Sequence, residues 1–122
     1  MSADIEGISA DVEGVSGGYA EKFGIERTDA WFMLKLQEEV GELTQAFIDL
    51  KGMGRDRGRT AQENRNAFAQ ECADVLAHIL LLARHEGIDL TAAIDQKWLR
   101  WARATTADEA TAPADTFEAD LG

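Results

Sequence analysis

The sequence predicts an all-α fold: a four-helix antiparallel bundle that assembles as a dimer or tetramer. Three observations carry that expectation. Apolar residues recur at steps of three and four along most of the chain, the spacing of one helical face. No segment alternates apolar and polar residues as a half-buried strand does. The single proline, Pro113, lies near the C-terminus, so nothing before it carries the main helix breaker.

The first helix is expected over residues 4–23, with Ile5, Ile8, Val12, Val15, Tyr19 and Phe23 on one stripe. Gly7, Gly14, Gly17 and Gly18 each cost about 1 kcal/mol in a helix, so this element is expected to be frayed or kinked. The second helix is expected over 28–51, capped by Thr28 or Asp29, with Leu36, Val40, Leu43, Phe47 and Leu50 facing a core. The segment KGMGRDRGRT, rich in glycine, reads as a loop.

The third helix is expected over 60–86, with Thr60 as its cap and Gly87 as its stop. From Cys72 to Ala83 it is apolar nearly all round except at Asp74 and His78, so burial on most sides is expected. Four short helices would not cover it, which motivates an oligomer. The fourth helix is expected over 89–104, capped by Asp89 or Thr91, with Leu90, Ile94, Trp98 and Trp101 on its apolar side. These elements make one domain, residues 1–104. The acidic, small-residue segment 105–122 is expected to be a disordered tail.

A chain of 122 residues with 45% hydrophobic content has enough apolar surface for one core. Its net charge of −11 repels phosphate backbones and argues against broad nucleic-acid binding. Cys72 is the single cysteine, has no partner for an internal disulfide, and reads as a small core residue. No secretory leader pattern and no membrane-length apolar run is found, so a cytoplasmic protein with no membrane partner is expected.

The acidic residues carry the functional signal. Glu38, Glu39 and Glu42 lie on the second helix, and Glu71 and Asp74 on the third. Residues three apart share a helical face, so Glu39 pairs with Glu42 and Glu71 with Asp74. Glu39 lies about 60° from Leu36, at the edge of the apolar stripe. Asp74 stands between Ala73 and Val75, where an unpartnered carboxylate is costly to bury. Packing the two helices together would bring four carboxylates close, and like charges at that distance need cations or protons between them. Oxygen-only ligands suit magnesium or manganese, which also take phosphate oxygens. The bland reading is a solvated acidic face, and for the three glutamates alone it is the better one.

The segments LQEEVGELTQA and AQECADVLAHILLLA resemble the MazG-like, all-α nucleoside triphosphate pyrophosphohydrolases. Two adjacent glutamates, a third after two residues, a spacer of 28 residues and Glu-x-x-Asp match that family's motif. The resemblance implies that Glu39, Glu42, Glu71 and Asp74 ligate Mg2+ (or Mn2+). It implies that Glu38 either supports the metal ligands from behind or is the base that orients the attacking water. It also implies hydrolysis of a (deoxy)nucleoside triphosphate between the α and β phosphates, in nucleotide-pool housecleaning, by a homodimer or homotetramer. The last helix departs from the pattern. QKWLRWAR offers Lys97 and Arg100 but no asparagine.

Further candidates are secondary. Lys35, Arg55, Arg57, Lys97 and Arg100 are candidate phosphate contacts, and Trp31 and Trp98 are candidates to stack on the base. Five of the twelve basic residues fall between Lys51 and Arg65, which suggests a clamp over phosphate; a solvated loop fits equally. His78 and His85 share the face of Glu71 and Asp74, with a satisfied core histidine as the plainer reading of His78. A di-iron bundle would need Glu-x-x-His pairs, and Glu71 is followed by Asp74, Glu42 by Gln45. A non-enzymatic helical interaction module is the remaining alternative.

Overall fold

The computed structural model describes residues 4–108, and every regular element among them is helical. The order is α1 (Ile5–Phe23), α2 (Asp29–Leu50), α3 (Ala61–His85), α4 (Leu90–Ile94), a π-helical segment (Asp95–Leu99) and α5 (Arg100–Asp108). The chain divides after Glu86 into two compact units, each described by itself.

Local signals set the ends of α2 and α3. The Thr28 hydroxyl accepts from the amide of Trp31 at the start of α2. At α3 Thr60 and Glu63 form a reciprocal capping box, each side chain accepting from the other's backbone amide. Gly87, with φ 70°, turns the chain away after α3, a conformation glycine adopts without steric cost.

The first unit holds α1, α2 and α3. Helices α2 and α3 run antiparallel. Trp31, early in α2, meets His78 late in α3, with ring centroids 6.2 Å apart. Phe47, late in α2, meets Phe68 early in α3, at 6.0 Å. Phe32, Ala46, Leu80, Leu81 and Ala20 form the buried apolar core. Full burial of a side chain the size of Leu80 or Phe32 contributes about 2 kcal/mol.

Helix α1 is unbroken from Ile5 to Phe23 rather than frayed at its glycines. Tertiary clasps offset their low propensity. The Arg27 guanidinium donates to both Glu13 carboxylate oxygens, at 2.9 and 2.6 Å, and to Ser16 at 3.2 Å. Arg84 of α3 donates to Glu6 and Ser9 near the start of α1. Gly17 has a positive reason to be glycine: a Cβ there would stand 3.1 Å from Glu13 Oε2 and 3.2 Å from Arg27 Nη2.

Helix α3 is not buried on most sides. Cys72, Ala73 and Asp74 are exposed, as are Leu76 and Ile79, at 53% and 39%. Cys72 is therefore no core residue, and Asp74 is no buried carboxylate. One pair of neighbouring helices in the unit covers only part of a helix circumference, which leaves an apolar strip of α3 uncovered.

In the second unit the expected fourth helix is interrupted by the π-helical segment, across which Asp95 accepts two hydrogen bonds from Arg103, at 2.6 and 3.2 Å. Asp89 caps α4 as anticipated, its side chain accepting from the Ala92 amide. Helix α5 continues to Asp108, past the start of the expected tail; residues 109–122 of that tail lie outside the described residues.

Candidate active site

The antiparallel packing of α2 on α3 brings Glu39, Glu42 and Glu71 together: one carboxylate oxygen from each lies within 4.8 Å of the others. The i, i+3 spacing sets Glu39 and Glu42 on one face, and the partner helix delivers Glu71. Asp74, one turn beyond Glu71, adds its charge to both Glu39 and Glu71. Glu39 Oε2 and Glu71 Oε2 are shielded from solvent and have no hydrogen-bond partner. A proton would link Glu71 to Asp74 or Glu42, but ionised carboxylates have none to share.

The electrostatics follow. Desolvation, then the charges of Glu42, Asp74 and Glu71, push the Glu39 carboxyl above the usual carboxylate range. Desolvation, then Glu42 and Asp74, push Glu71 up in the same way. Orphaned, shielded oxygens in a cluster of like charge suit a hard cation, and the chemistry of these residues fits a magnesium or manganese ion.

Glu38 stands outside the cluster. It is exposed and accepts a hydrogen bond from Lys35 at 2.7 Å, and this cation holds its carboxyl below the usual range. The same contact raises the Lys35 ammonium, so Lys35 stays charged. Lys35 also feels Glu39 and Glu42, and it stands at the rim of the cluster.

Lys35 and Glu39 continue into a cavity of about 700 Å³ bounded by α1, α2 and α3. Val12, Val15, Tyr19, Trp31, His78 and Leu81 line it, and most of the lining is apolar. The sequence had marked Trp31 as a base-stacking candidate, and this is where it sits. His78 is half-buried with its Nδ1 unpartnered, and burial followed by the Lys35 charge lowers its pKa. His85 does not join the carboxylates. It stacks on Phe32 at 4.2 Å and bonds Asp29 at 2.6 Å. Asp29 lies in the first turn of α2, the helix end that favours its negative charge, and His85 lies in the last turn of α3.

The basic loop folds back on the protein. Arg57 and Arg59 both pair with Asp49, at 3.3 and 2.8 Å, and the Asp49 side chain is only 6% exposed. Arg55 lines a small surface cavity beside them. In the second unit Lys97 and Arg100 share a separate concavity with Arg103, and Trp98 is half exposed. The apolar residues of α1 that line the large cavity were read from sequence only as a core stripe. Periodicity marks the face of a helix but not the gap it borders.

Two helices that set carboxylates against each other, in an all-α chain, are consistent with the class of the all-α nucleotide pyrophosphohydrolases. The chain matches the phosphoribosyl-ATP pyrophosphohydrolase family over residues 21–96, well over half its length, and belongs to that family. The match spans the end of α1 through the start of the π-helical segment, and so includes every carboxylate of the cluster. The family stands within the MazG-like superfamily that the motif had suggested. No curated protein and no solved structure matches the chain.

Proposed function

We propose that the protein hydrolyses a nucleoside 5′-triphosphate chain between its α and β phosphates, giving a monophosphate and pyrophosphate, with magnesium or manganese as cofactor. The observation that carries this reading is the convergence of Glu39, Glu42 and Glu71 with two orphaned, shielded oxygens. Membership of a pyrophosphohydrolase family supports it. The substrate is either a free (deoxy)nucleoside triphosphate, as in pool housecleaning, or phosphoribosyl-ATP, for which the family is named; both present the same bond.

Glu39, Glu42, Glu71 and Asp74 would hold the ion. Bound there, the ion would neutralise phosphate charge, polarise the phosphoryl centre and lower the pKa of a water. The chain's own groups do the rest. Lys35 meets phosphate charge at the rim. Glu38, next to Glu39, takes the water's proton once substrate phosphate draws Lys35 away from it. Such chemistry depends mostly on positioning and charge stabilisation, which two packed helices supply.

A homodimer or homotetramer belongs to the same proposal. The exposed apolar strip of α3 at Leu76 and Ile79 supports it. Manganese titration followed by electron paramagnetic resonance tests the metal reading. Saturable binding in the wild type, lost in Glu42→Gln, is expected. No saturable binding would leave the helical interaction module as the better account.

A further inference from the structure

We infer that Asp29, His85 and Glu86 form a metal site of their own, one that takes a transition-metal ion of the zinc class and fastens the start of α2 to the end of α3. It is separate from the carboxylate cluster and does not rest on the reaction proposed above.

Convergence comes first. One ligand atom of each residue lies within 4.8 Å of the other two. All three donors gather about a single nitrogen: His85 Nε2 stands 2.6 Å from Asp29 Oδ1 and 3.9 Å from Glu86 Oε2. Zinc bonds of about 2.1 Å in tetrahedral geometry set neighbouring donors roughly 3.4 Å apart. The two separations fall on either side of that value, so shifts of under about 1 Å would seat an ion. Asp29, its side chain 89% exposed, has room to make such a shift.

The imidazole is the fixed member. It stacks on Phe32 at 4.2 Å with the rings 23° apart, and Phe32 is itself buried. That contact holds the ring plane, so little freedom is left to lose when an ion binds. The carboxylates come from different helices, Asp29 from the first turn of α2 and Glu86 from the residue that caps the end of α3.

A single proton does not serve this arrangement. Nε2 can carry one hydrogen, and Asp29 stands at hydrogen-bond distance to take it. Glu86 then lies beside a like charge, too far from Nε2 for a hydrogen bond. A divalent ion replaces that proton and bonds all three groups, the proton passing to solvent. The neighbouring cations do not oppose it, because Arg27 is paired with Glu13 and Arg84 with Glu6. An imidazole nitrogen beside two carboxylates selects zinc, nickel, cobalt or copper, whereas the oxygen-only cluster suits magnesium.

The test is a calorimetric zinc titration of the full chain, free of any histidine tag and in excess magnesium. Glu42→Gln serves as the background, since it disables the carboxylate cluster as a competing site. It is expected to bind one zinc equivalent. Adding His85→Gln or the milder Glu86→Gln is expected to weaken that binding at least about tenfold, since even a supporting group at a metal site is worth that much. In nitrogen NMR spectra of the two histidines, zinc is expected to shift His85 Nε2 and leave His78 in place. Zinc is also expected to raise the Tm of the background protein and not that of the protein carrying His85→Gln. No zinc binding in Glu42→Gln, or equal binding with and without His85→Gln and Glu86→Gln, would overturn the inference. So would a zinc-induced shift at His78 alone.

Discussion

Glu39 on α2 and Glu71 on α3 each keep one carboxylate oxygen away from solvent without a hydrogen-bond partner, within one cluster of like charge. Burial first, then the charges of neighbouring carboxylates, chiefly Glu42 and Asp74, raise both carboxyls. A raised carboxyl stabilises the fold below the unfolded value, and that contribution is lost as pH rises through the folded value. The metal-free protein is therefore strained at neutral pH. Glu71→Gln is expected to raise the metal-free Tm at pH 7 by on the order of 4 °C, what about 1 kcal/mol is worth in a domain of this size. The same variant is expected to lose the stabilisation that magnesium gives the wild type. Thermal scans with and without metal check both, and a Tm that falls without metal would contradict the account.

Glu13 shows the opposite sign. The Arg27 hydrogen bonds, chiefly, hold its carboxyl below the usual range. That contribution is present above the unfolded carboxylate value and is lost as pH falls through the folded one. Acidification through the carboxylate range is expected to loosen α1 from Arg27. Glu13→Gln should remove this part of the acid sensitivity, read by amide exchange across α1 from pH 7 down to 3.

Three glycines of α1 separate propensity from close approach. Nothing stands within 4 Å of a Cβ at Gly14 or Gly18, so alanine at either is expected to raise stability by up to about 1 kcal/mol. Gly17→Ala meets Glu13 and Arg27 and is expected to fall short of both. Denaturant melts of the three variants give the comparison.

Asp49 is the buried anchor of Arg57 and Arg59. Asp49→Ala is expected to cost about 2 kcal/mol, since charge-assisted hydrogen bonds are lost. It should also free the loop to limited trypsin digestion at those arginines. A digestion rate equal to the wild type would show that the pairing does not restrain the loop.

Much of this arrangement was legible in the sequence, and the reason is locality. Thr28, Thr60 and Asp89 cap within one turn of themselves, so the starts of α2, α3 and α4 fell within one residue of expectation. Glu39, Glu42 and Glu71 converge because three-residue spacing sets a face and α2 and α3 pair along their length. What failed was non-local. The continuity of α1 depends on Arg27 and Arg84, which its own glycines do not reveal. Cys72 and Asp74 looked buried because apolar neighbours surround them in sequence, yet that side of α3 is exposed among the described residues of the first unit. The cavity forms only where three helices fail to close, and periodicity carries no record of that gap.

The central claim is the reaction, and product analysis tests it most directly. The purified protein is incubated with phosphoribosyl-ATP and a panel of standard and modified nucleoside triphosphates, with magnesium, manganese or chelator. The account predicts monophosphate and pyrophosphate in equal amounts, formed only with metal and lost in Glu42→Gln and Asp74→Asn. Release of orthophosphate instead, or turnover undiminished in chelator or in both variants, would contradict it.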